Sequence, residues 1–197
     1  KRKGIDARYN RVLTEVRPQS REAVFKVTEG ETSREEVIGY GMLHVTPPMA
    51  APQVVADSPL AAASGFVEVD KFSLQHTRYA NVFSLGDVSG MPNSKTAAAV
   101  RGQAPVLVAN LLALLDGQPL VAAYDGYSCC PLITGYGKAI MAEFNYEQQP
   151  VPSFPLDPTK ERWSMWWIKR KLLPGLYWNR MLTGAQHERR FIPGLKG

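Results

Sequence analysis

Cysteine is scarce in this sequence: its 197 residues include only Cys129 and Cys130, adjacent in the stretch YSCCPL. Two cysteines cannot build the disulfide framework of a small secreted scaffold, so that class of protein is excluded. A bond between the two neighbours would close a strained small ring and would be a poor structural staple. The pair is therefore either two inert buried side chains or a site where one thiol reacts with a partner that this sequence does not contain.

Histidine is also sparse: His44, His76 and His187 are scattered, and none has a second ligand at helical or hairpin spacing. We predict no metal site and expect His76 to have a structural role. No Ser-His-Asp or paired-carboxylate arrangement is legible. The stretches GYGML at Gly39 and GYGKA at Gly135 lack the third glycine of a dinucleotide-binding loop, so we interpret both as turns.

Long apolar runs are absent as well. No run of 18 or more apolar residues occurs, so the sequence predicts no helix that spans a bilayer. The chain opens with KRKG, without an initiator methionine or an apolar leader segment. We therefore expect no signal peptide and a sequence that starts partway through a longer protein.

Acidic residues are scarce in the C-terminal tail, defined here as residues 160–197. It has nine basic and two acidic residues, whereas the whole chain has a net charge of +5, and it contains all four tryptophans. Interfacial aromatics and basic residues suit an anionic membrane surface as partner, which the tail alone favours no more than its alternative. The alternative is a helix pair packed on the domain with its basic side chains in solvent. Nucleic acid is a weaker alternative because no binding motif for it is present. The charged residues are Lys160, Arg162, Lys169, Arg170, Lys171, Arg180, Arg189, Arg190 and Lys196, opposed by Glu161 and Glu188.

The apolar pattern predicts short strands in the first quarter of the chain. Residues 8–45 alternate in three stretches, and a turn at 18–20 marks a hairpin between the first two. Residues 49–65, rich in alanine and proline, predict a loop with a short helix. The stretch YANVFSLGDVSG predicts a buried strand at residues 82–85 that runs into a Gly-Asp turn.

The strongest predicted helix is NSKTAAAVRGQAPVLVANLLALL, capped by Asn93 or Ser94, kinked at Pro105 and stopped by a following Asp-Gly pair. Residues 120–147 predict a second meander, with two strands around a turn at 135–137. A proline-rich connector follows. Residues 159–183 predict two short helices broken at 174–175.

The Gly-Asp turn at Gly86-Asp87 suggests a binding site. An acid at the end of a strand can bond a sugar or ribitol hydroxyl, and the preceding glycine lets a ligand approach the backbone. The following helix presents free N–H groups, with Lys95 and Thr96 in its first turn. Together these groups could stabilise negative charge on a flavin ring. An ordinary strand–loop–helix is the alternative.

Three stretches, NVFSLGDVSGMPNSKTAAAV, YDGYSCCPLITGYGKAIMAEFNY and LHVTPPM, together resemble sulfide:quinone oxidoreductase, a flavoprotein of the disulfide-reductase-like superfamily. The likeness covers almost the whole chain and is closest to the branch shared by bacteria and mitochondria. Many flavoproteins share the Gly-Asp element, whereas Tyr-x-x-Cys-Pro-Leu-x-Thr-Gly-Tyr is far more specific.

The resemblance implies FAD as cofactor and a role for several residues. Asp87, after Gly86, matches the acid that contacts the flavin ribityl chain. Lys95 and Thr96 match the helix start beside the pyrimidine end of the ring.

The same resemblance implies the reactive thiol. Cys130, immediately before a proline, matches the second redox cysteine of the family. Cys129 falls where relatives often have a small polar residue, so it is interpreted as a bystander, although adjacency leaves the choice open. Pro47 and Pro48 match a loop near the flavin.

The fold class implied is α/β: the C-terminal half of a FAD/NAD(P)-binding two-dinucleotide-domain fold, with a C-terminal β-meander and amphipathic helices. Residues 1–78 would complete the second nucleotide-binding domain, and 79–118 would return to the FAD domain. Residues 119–197 would form the redox-cysteine and membrane-docking region. The family's glycine fingerprint and other redox cysteine are not in this sequence, so we expect a fragment that binds FAD weakly or not at all by itself.

The activity implied is oxidation of sulfide. Sulfide attacks a sulfur bridge between two cysteines and leaves a persulfide, and two electrons pass through FAD to a membrane quinone. An acceptor thiol removes the sulfane sulfur. The expected location is the surface of a bacterial inner membrane, on its cytoplasmic face, or the mitochondrial inner membrane, and a homo-oligomer is left open. Aromatic candidates for quinone or membrane contact are Tyr127, Tyr136, Phe144, Tyr146, Trp163, Trp166, Trp167, Tyr177 and Trp178.

Two other functions remain open from the sequence. A quinone-reducing NADH dehydrogenase would share the Gly-Asp element and a membrane tail but would not need Cys130. A non-catalytic membrane-docking module would need neither flavin nor thiol.

Overall fold

The computed structural model describes residues 3–184 and divides the chain into two compact units, one ending at Met49 and the other beginning at Ala50. The predicted boundaries near residues 78 and 118 stay predictions. Some of the charged residues of the tail, and one of the three histidines, lie outside the described residues. These residues are His187, Glu188, Arg189, Arg190 and Lys196.

The first unit is an antiparallel meander of β1 (Arg11–Arg17), β2 (Glu22–Glu29) and β3 (Thr32–Gly39), with β2 in the centre. The central strand buries Ala23 and Val24 almost completely. The three strands and the hairpin turn predicted within residues 8–45 are confirmed.

Ion pairs lie on the surface of this sheet. Glu36 on β3 accepts from Arg11 at 2.8 Å and from Arg8 at 3.0 Å. The bond from Arg11 lowers the pKa of the Glu36 carboxyl. Such exposed pairs contribute little to stability. Burial of the apolar side chains of β2 is therefore the main source of stability in this unit.

The second unit contains α1 (Gln53–Ala56), α2 (Ala97–Leu115) and a hairpin of β4 (Ser128–Gly135) with β5 (Lys138–Phe144). The short helix within 49–65 and the two strands around residues 135–137 are confirmed. The hairpin begins earlier than predicted, so that both cysteines lie on β4.

The prediction of a strand at Val82–Leu85 is wrong. Described residues 66–89 are joined by isolated bridges, including Gln75 with Phe83 and Val69 with His76. Residues Gly86–Val88 form a single 3₁₀ turn. Apolar alternation indicates burial, but it does not supply a neighbouring strand with which to pair.

The predicted cap of α2 is also wrong. Thr96 is the N-cap, and its Oγ1 accepts from the Ala99 N–H at 3.2 Å. Asn93 instead donates through Nδ2 to the Tyr124 hydroxyl at 3.0 Å. The helix ends at Leu115 with Asp116 as its C-cap, so the predicted stop at Asp116-Gly117 is confirmed.

By length and composition alone, α2 could cross a membrane, which corrects the expectation that no segment is suitable. Its best 18-residue window has a mean hydropathy of 1.5, and 17% of that window is buried. Among the described residues, this is the one helix that meets such a test. It is weak support for a span, because the core helix of a globular domain meets the same test.

The described part of the tail, residues 160–184, is more continuous than predicted. Helices α3 (Trp163–Trp167) and α4 (Leu173–Asn179) are joined by the π-helical segment Ile168–Leu172, so the predicted break at Pro174-Gly175 is wrong. Pro174 lies in the first turn of α4, where a helix tolerates the missing N–H.

Two apolar clusters form the core of the second unit. The hairpin cluster joins β4 and β5 to α3, and Ala98 of α2, Val151, Phe154, Trp166 and Ile168 pack against it. The second cluster joins α2 to the loops before it and after it. Its buried members are Leu74, Met91, Ala99 and Tyr124. The buried members of the hairpin cluster are Tyr127, Cys129, Ala139, Met141 and Met165.

Candidate functional site

The two cysteines lie on opposite faces of β4, because successive side chains of a strand alternate. Cys129 faces the hairpin cluster and is 7% exposed, whereas Cys130 is exposed to solvent. Neither forms a disulfide. The reactive thiol expected from the sequence is therefore the accessible one of the pair.

Burial disfavours the charged form of Cys129. Desolvation is the largest cause that raises the pKa of its thiol to about 11, and the negative charge of Glu143 is the next. At neutral pH this thiol is protonated, and a protonated thiol is a poor nucleophile. Cys129 therefore has the properties of a structural side chain.

A buried polar cluster lies on the Cys129 side of the hairpin. Glu143, 5% exposed, accepts from the Tyr127 hydroxyl at 2.6 Å and from the Ser153 N–H at 3.0 Å. The Ser153 hydroxyl also donates to Glu143. Burial and the bond to Glu143 raise the pKa of Tyr127 well above its usual range. Tyr127 is consequently a structural hydroxyl donor inside the hairpin.

The start of α2 lies beside the cysteine strand. Ala98, in the first turn of α2, packs against the cluster that contains Cys129. Tyr124 adds a polar connection, because it accepts from Asn93, which precedes α2, and donates to the Tyr127 carbonyl. The loop before α2 and the strand of Cys130 are thereby held as one assembly.

The Gly-Asp turn packs against α2 and is hydrogen-bonded to it. Gly86 has φ +73°, and its N–H donates to Oε1 of buried Gln103 at 2.9 Å. A Cβ at this glycine would meet Val100 of the helix at 3.4 Å, so the backbone lies close to α2. Asp87, the next residue, is exposed.

Lys95 extends back towards the same turn. Its ammonium donates to the Ser89 carbonyl and lies 4.4 Å from the centre of the Phe66 ring. Burial lowers the pKa of Lys95, and the negative charge of Asp87 acts in the opposite direction. The structure thus brings Gly86, Asp87 and Lys95 together at the start of α2.

These residues fit the polar parts of a flavin. The exposed Asp87 carboxylate can accept from ribityl hydroxyls. Thr96 caps α2 by accepting from Ala99, which leaves the N–H groups of Ala97 and Ala98 without an intrahelical partner at that end. Unpaired N–H donors suit the carbonyl oxygens of a flavin pyrimidine ring.

Pro47 and Pro48 lie in the first unit and are exposed. Their expected contact with a flavin stays a prediction.

The aromatic candidates differ sharply in accessibility. Tyr127 is buried, and Tyr146 is half-buried with its hydroxyl bonded to the Lys71 carbonyl, so packing accounts for both. Phe144 and Trp166 are partly buried. The exposed aromatics are Tyr136 at the hairpin tip and Trp163, Trp167, Tyr177 and Trp178 in the tail.

The tail also presents cations next to these rings. Lys169 donates to the Pro131 carbonyl at 2.6 Å and fastens the π-helical segment to β4, one residue beyond Cys130. The Arg170 guanidinium lies 5.1 Å from the centre of the Trp166 ring. An aromatic and basic surface therefore begins close to the cysteine strand.

Three residues that support the site are not predicted by any motif in the sequence: Gln103, Tyr124 and Glu143. One signal was available for Gln103, because it lies four residues after Ala99 on the same face of an apolar helix, where a polar residue needs a buried partner. Tyr124 and Glu143 bond to groups distant in sequence, and no local pattern indicates such partners.

Comparison with known proteins gives close relatives. The Mus musculus protein named sulfide:quinone oxidoreductase, mitochondrial, is 48% identical over 182 residues, which is 91% of this chain. Proteins of the same name from Dictyostelium discoideum and Schizosaccharomyces pombe are 45% and 43% identical over 93% and 90% of the chain. The chain spans about 40% of the length of these relatives. No protein-family model matches it.

A solved structure has the same fold over most of the chain. A chain in the cryo-EM structure of the Tetrahymena thermophila mitochondrial ATP synthase, an F1Fo composite tetramer, aligns with a TM-score of 0.75 and 29% identity. The alignment covers 89% of this chain and 42% of that one. The resemblance to the sulfide:quinone oxidoreductases, based on the stretches around Gly86 and Cys130, is thus confirmed over about nine tenths of the chain.

Proposed function

We propose that this chain is the C-terminal part of a flavin-dependent sulfide:quinone oxidoreductase in which Cys130 is the redox thiol. The observation that carries the proposal is the contrast within the cysteine pair. Cys130 is accessible, whereas Cys129 is buried with a pKa of about 11. A thiol that exchanges sulfur must be reached by its partner and must ionise, and Cys129 does neither readily.

The chemistry at Cys130 is thiol exchange. Sulfide attacks a sulfur bridge between Cys130 and a cysteine outside this chain, so that one S–S bond breaks as another forms. One cysteine keeps the added sulfur as a persulfide, and the other leaves as a thiolate with the electron pair. Bound FAD supplies the two-electron acceptor that links this oxidation to reduction of a quinone.

The Gly-Asp turn holds the cofactor in this proposal. Asp87 would accept from the ribityl chain, and the first N–H groups of α2 would donate to the pyrimidine end. Lys95 contributes positive potential beside the turn, which favours an anionic reduced ring. Gln103 and Thr96 fix the turn and the helix start without needing to touch the ligand.

The tail docks the enzyme at an anionic membrane surface in this proposal. Trp163 and Trp178 are 62% and 65% exposed, and Lys169, Arg170 and Lys171 lie between them in sequence. Exposed indoles favour the headgroup level, and each basic residue near an anionic surface contributes about 1 kcal/mol. A lipid-dissolved quinone would thereby be brought close to the cysteine strand.

Stopped-flow mixing tests the function. The FAD-loaded protein that contains this chain together with the rest of the length of its relatives is mixed with sulfide or with NADH, and flavin absorbance is followed. We expect rapid bleaching by sulfide and none by NADH. Bleaching by NADH alone would instead identify a quinone-reducing NADH dehydrogenase.

A non-catalytic docking module is the second candidate, favoured by the exposed aromatics of the tail. Two measurements on the same FAD-loaded protein distinguish a docking module from an enzyme. A module that only docks would bind anionic vesicles and would show no sulfide-dependent reduction of an added quinone.

A further inference from the structure

The adjacent thiols pose a problem of selectivity. A sulfur-exchanging site with a second thiol one residue away risks forming the wrong bridge, since thiolates attack any accessible disulfide or persulfide. The backbone positions of Cys129 and Cys130 are adjacent, and their side chains lie on opposite faces of β4.

We propose that Glu143 keeps Cys129 out of sulfur chemistry: its buried carboxylate, opposite Cys129 across the β4–β5 ladder, stabilises the neutral thiol, so that Cys130 alone of the pair reacts. The biological meaning rests on the proposed redox role of Cys130. Glu143 acts here as a positioning residue for selectivity and does not touch the substrate.

The register places the carboxylate correctly. Cys129 pairs directly with Glu143, so both side chains lie on the same face, with Cβ atoms about 5 Å apart. Both are more than nine-tenths buried. A charge so close in a medium of low polarity interacts strongly with a thiolate.

Glu143 is held as a fixed acceptor. Tyr127 and Ser153 supply three donors to its two oxygens, as described above. Both of its oxygens act as acceptors in these bonds. The buried hydrogen bonds prevent the group from turning away from Cys129.

The other groups that face Cys129 do not replace this effect. Tyr127, two residues before Cys129, favours the thiolate by hydrogen bonding, whereas Cys130, the next residue on β4, disfavours it. Arg101, from the second turn of α2, also favours the thiolate. Met165 is the neighbour from α3 and has no charge. Burial and Glu143 outweigh these opposing influences, and the pKa rises to about 11.

The test measures thiol reactivity and needs neither flavin nor quinone. The full chain is prepared with Cys130→Ser, so that Cys129 is the one remaining thiol. The rate at which Cys129 reacts with iodoacetamide is measured by mass spectrometry from pH 7 to pH 12. In this reaction the thiolate attacks the carbon of iodoacetamide and iodide leaves. We expect the rate to have its midpoint near pH 11. A midpoint at or below about pH 9, the range of an ordinary thiol, would overturn the proposal.

The second variant adds Glu143→Gln. Loss of the charge should move the midpoint down by at least about half a pH unit, so that the rate at pH 8 rises about threefold or more. Glu143→Met, which also removes the charge, replaces it if the glutamine variant does not fold. An unchanged midpoint would overturn the proposal.

Glu143→Asp is the matched control, because it keeps the charge but shortens the side chain. Mere loosening of the hairpin would hydrate Cys129 and would lower the midpoint in the aspartate and glutamine variants alike. We expect the aspartate variant to keep an alkaline midpoint. A midpoint shifted equally in the aspartate and glutamine variants would assign the effect to loosening and reject the role of the charge. Sulfide oxidation could fail without changing any of these outcomes, so the two proposals fail separately.

Discussion

The sheet of the first unit and the hairpin of the second are both antiparallel, yet different interactions stabilise them. The first unit buries apolar side chains of its central strand and has exposed ion pairs around them. The second unit is tied together by buried polar side chains, including Gln103, Asn110 and Glu143. Buried polar networks are costly to disturb, whereas exposed ion pairs are not. The proposed chemistry lies where the structure is held by groups distant in sequence.

Gly126→Ala should be the most damaging single change. Gly126 has φ +83°, and a Cβ there would overlap the ring of Tyr146. We expect a loss of more than about 3 kcal/mol in the free energy of unfolding, or failure to fold, by chemical denaturation. Gly30→Ala is the control in the first unit, because its φ is +62° and nothing lies within 4 Å of a Cβ. It should cost only about 1 kcal/mol, and an equal loss in both variants would contradict the distinction between the units.

Gln103→Met should destabilise the second unit by about 2 kcal/mol, because it leaves the part-buried Gly86 N–H without its acceptor. It should also weaken FAD binding by the longer protein, measured by flavin fluorescence. Gln118→Met, at an exposed glutamine three residues beyond the end of α2, is the matched control and should change neither quantity. Loss of stability with unchanged FAD affinity would separate Gln103 from the cofactor site.

Replacement of both Trp163 and Trp178 by alanine should weaken binding to anionic vesicles about tenfold or more in a sedimentation assay, because two exposed indoles are lost. Tyr9→Ala, an exposed aromatic of the first unit, is the control and should leave binding unchanged. Equal binding by the tryptophan variant would remove the membrane role of the tail.

Arg17→Ala should have the smallest effect. Arg17 pairs with Glu15 at 2.9 Å and lies near Glu22 at 3.8 Å, all at the surface. We expect no measurable change in the denaturation midpoint, since exposed pairs are screened and entropically costly. A clear loss of stability would show that ion pairs hold the first unit and would erase the contrast between the two units.

Local patterns predicted much of the fold. Alternation was sufficient for β1–β3, and an alanine-rich apolar stretch was sufficient for α2. The same alternation gave a wrong prediction of a strand at Val82–Leu85. A strand needs a neighbouring strand with which to pair, and that region pairs only at isolated bridges. Pro174 gave a wrong prediction of a helix break, because the π-helical segment before it continues directly into α4.

The candidate site was predicted only in part. Motif resemblance indicated Cys130 and Asp87, but the face of β4 that is buried depends on how α3 packs on the hairpin, and no local pattern contains that information. The buried supports of the site, such as the bond from Gly86 to Gln103, join residues far apart in sequence. Such partners follow from the tertiary fold.

The most direct test of Cys130 as the redox thiol compares two serine substitutions in the FAD-loaded longer protein. Cys130→Ser should abolish reduction of the flavin by sulfide in stopped-flow measurements, whereas Cys129→Ser should leave the rate within about twofold of the unaltered protein. Reduction at the normal rate without the Cys130 thiol, or its loss without the Cys129 thiol, would contradict the assignment.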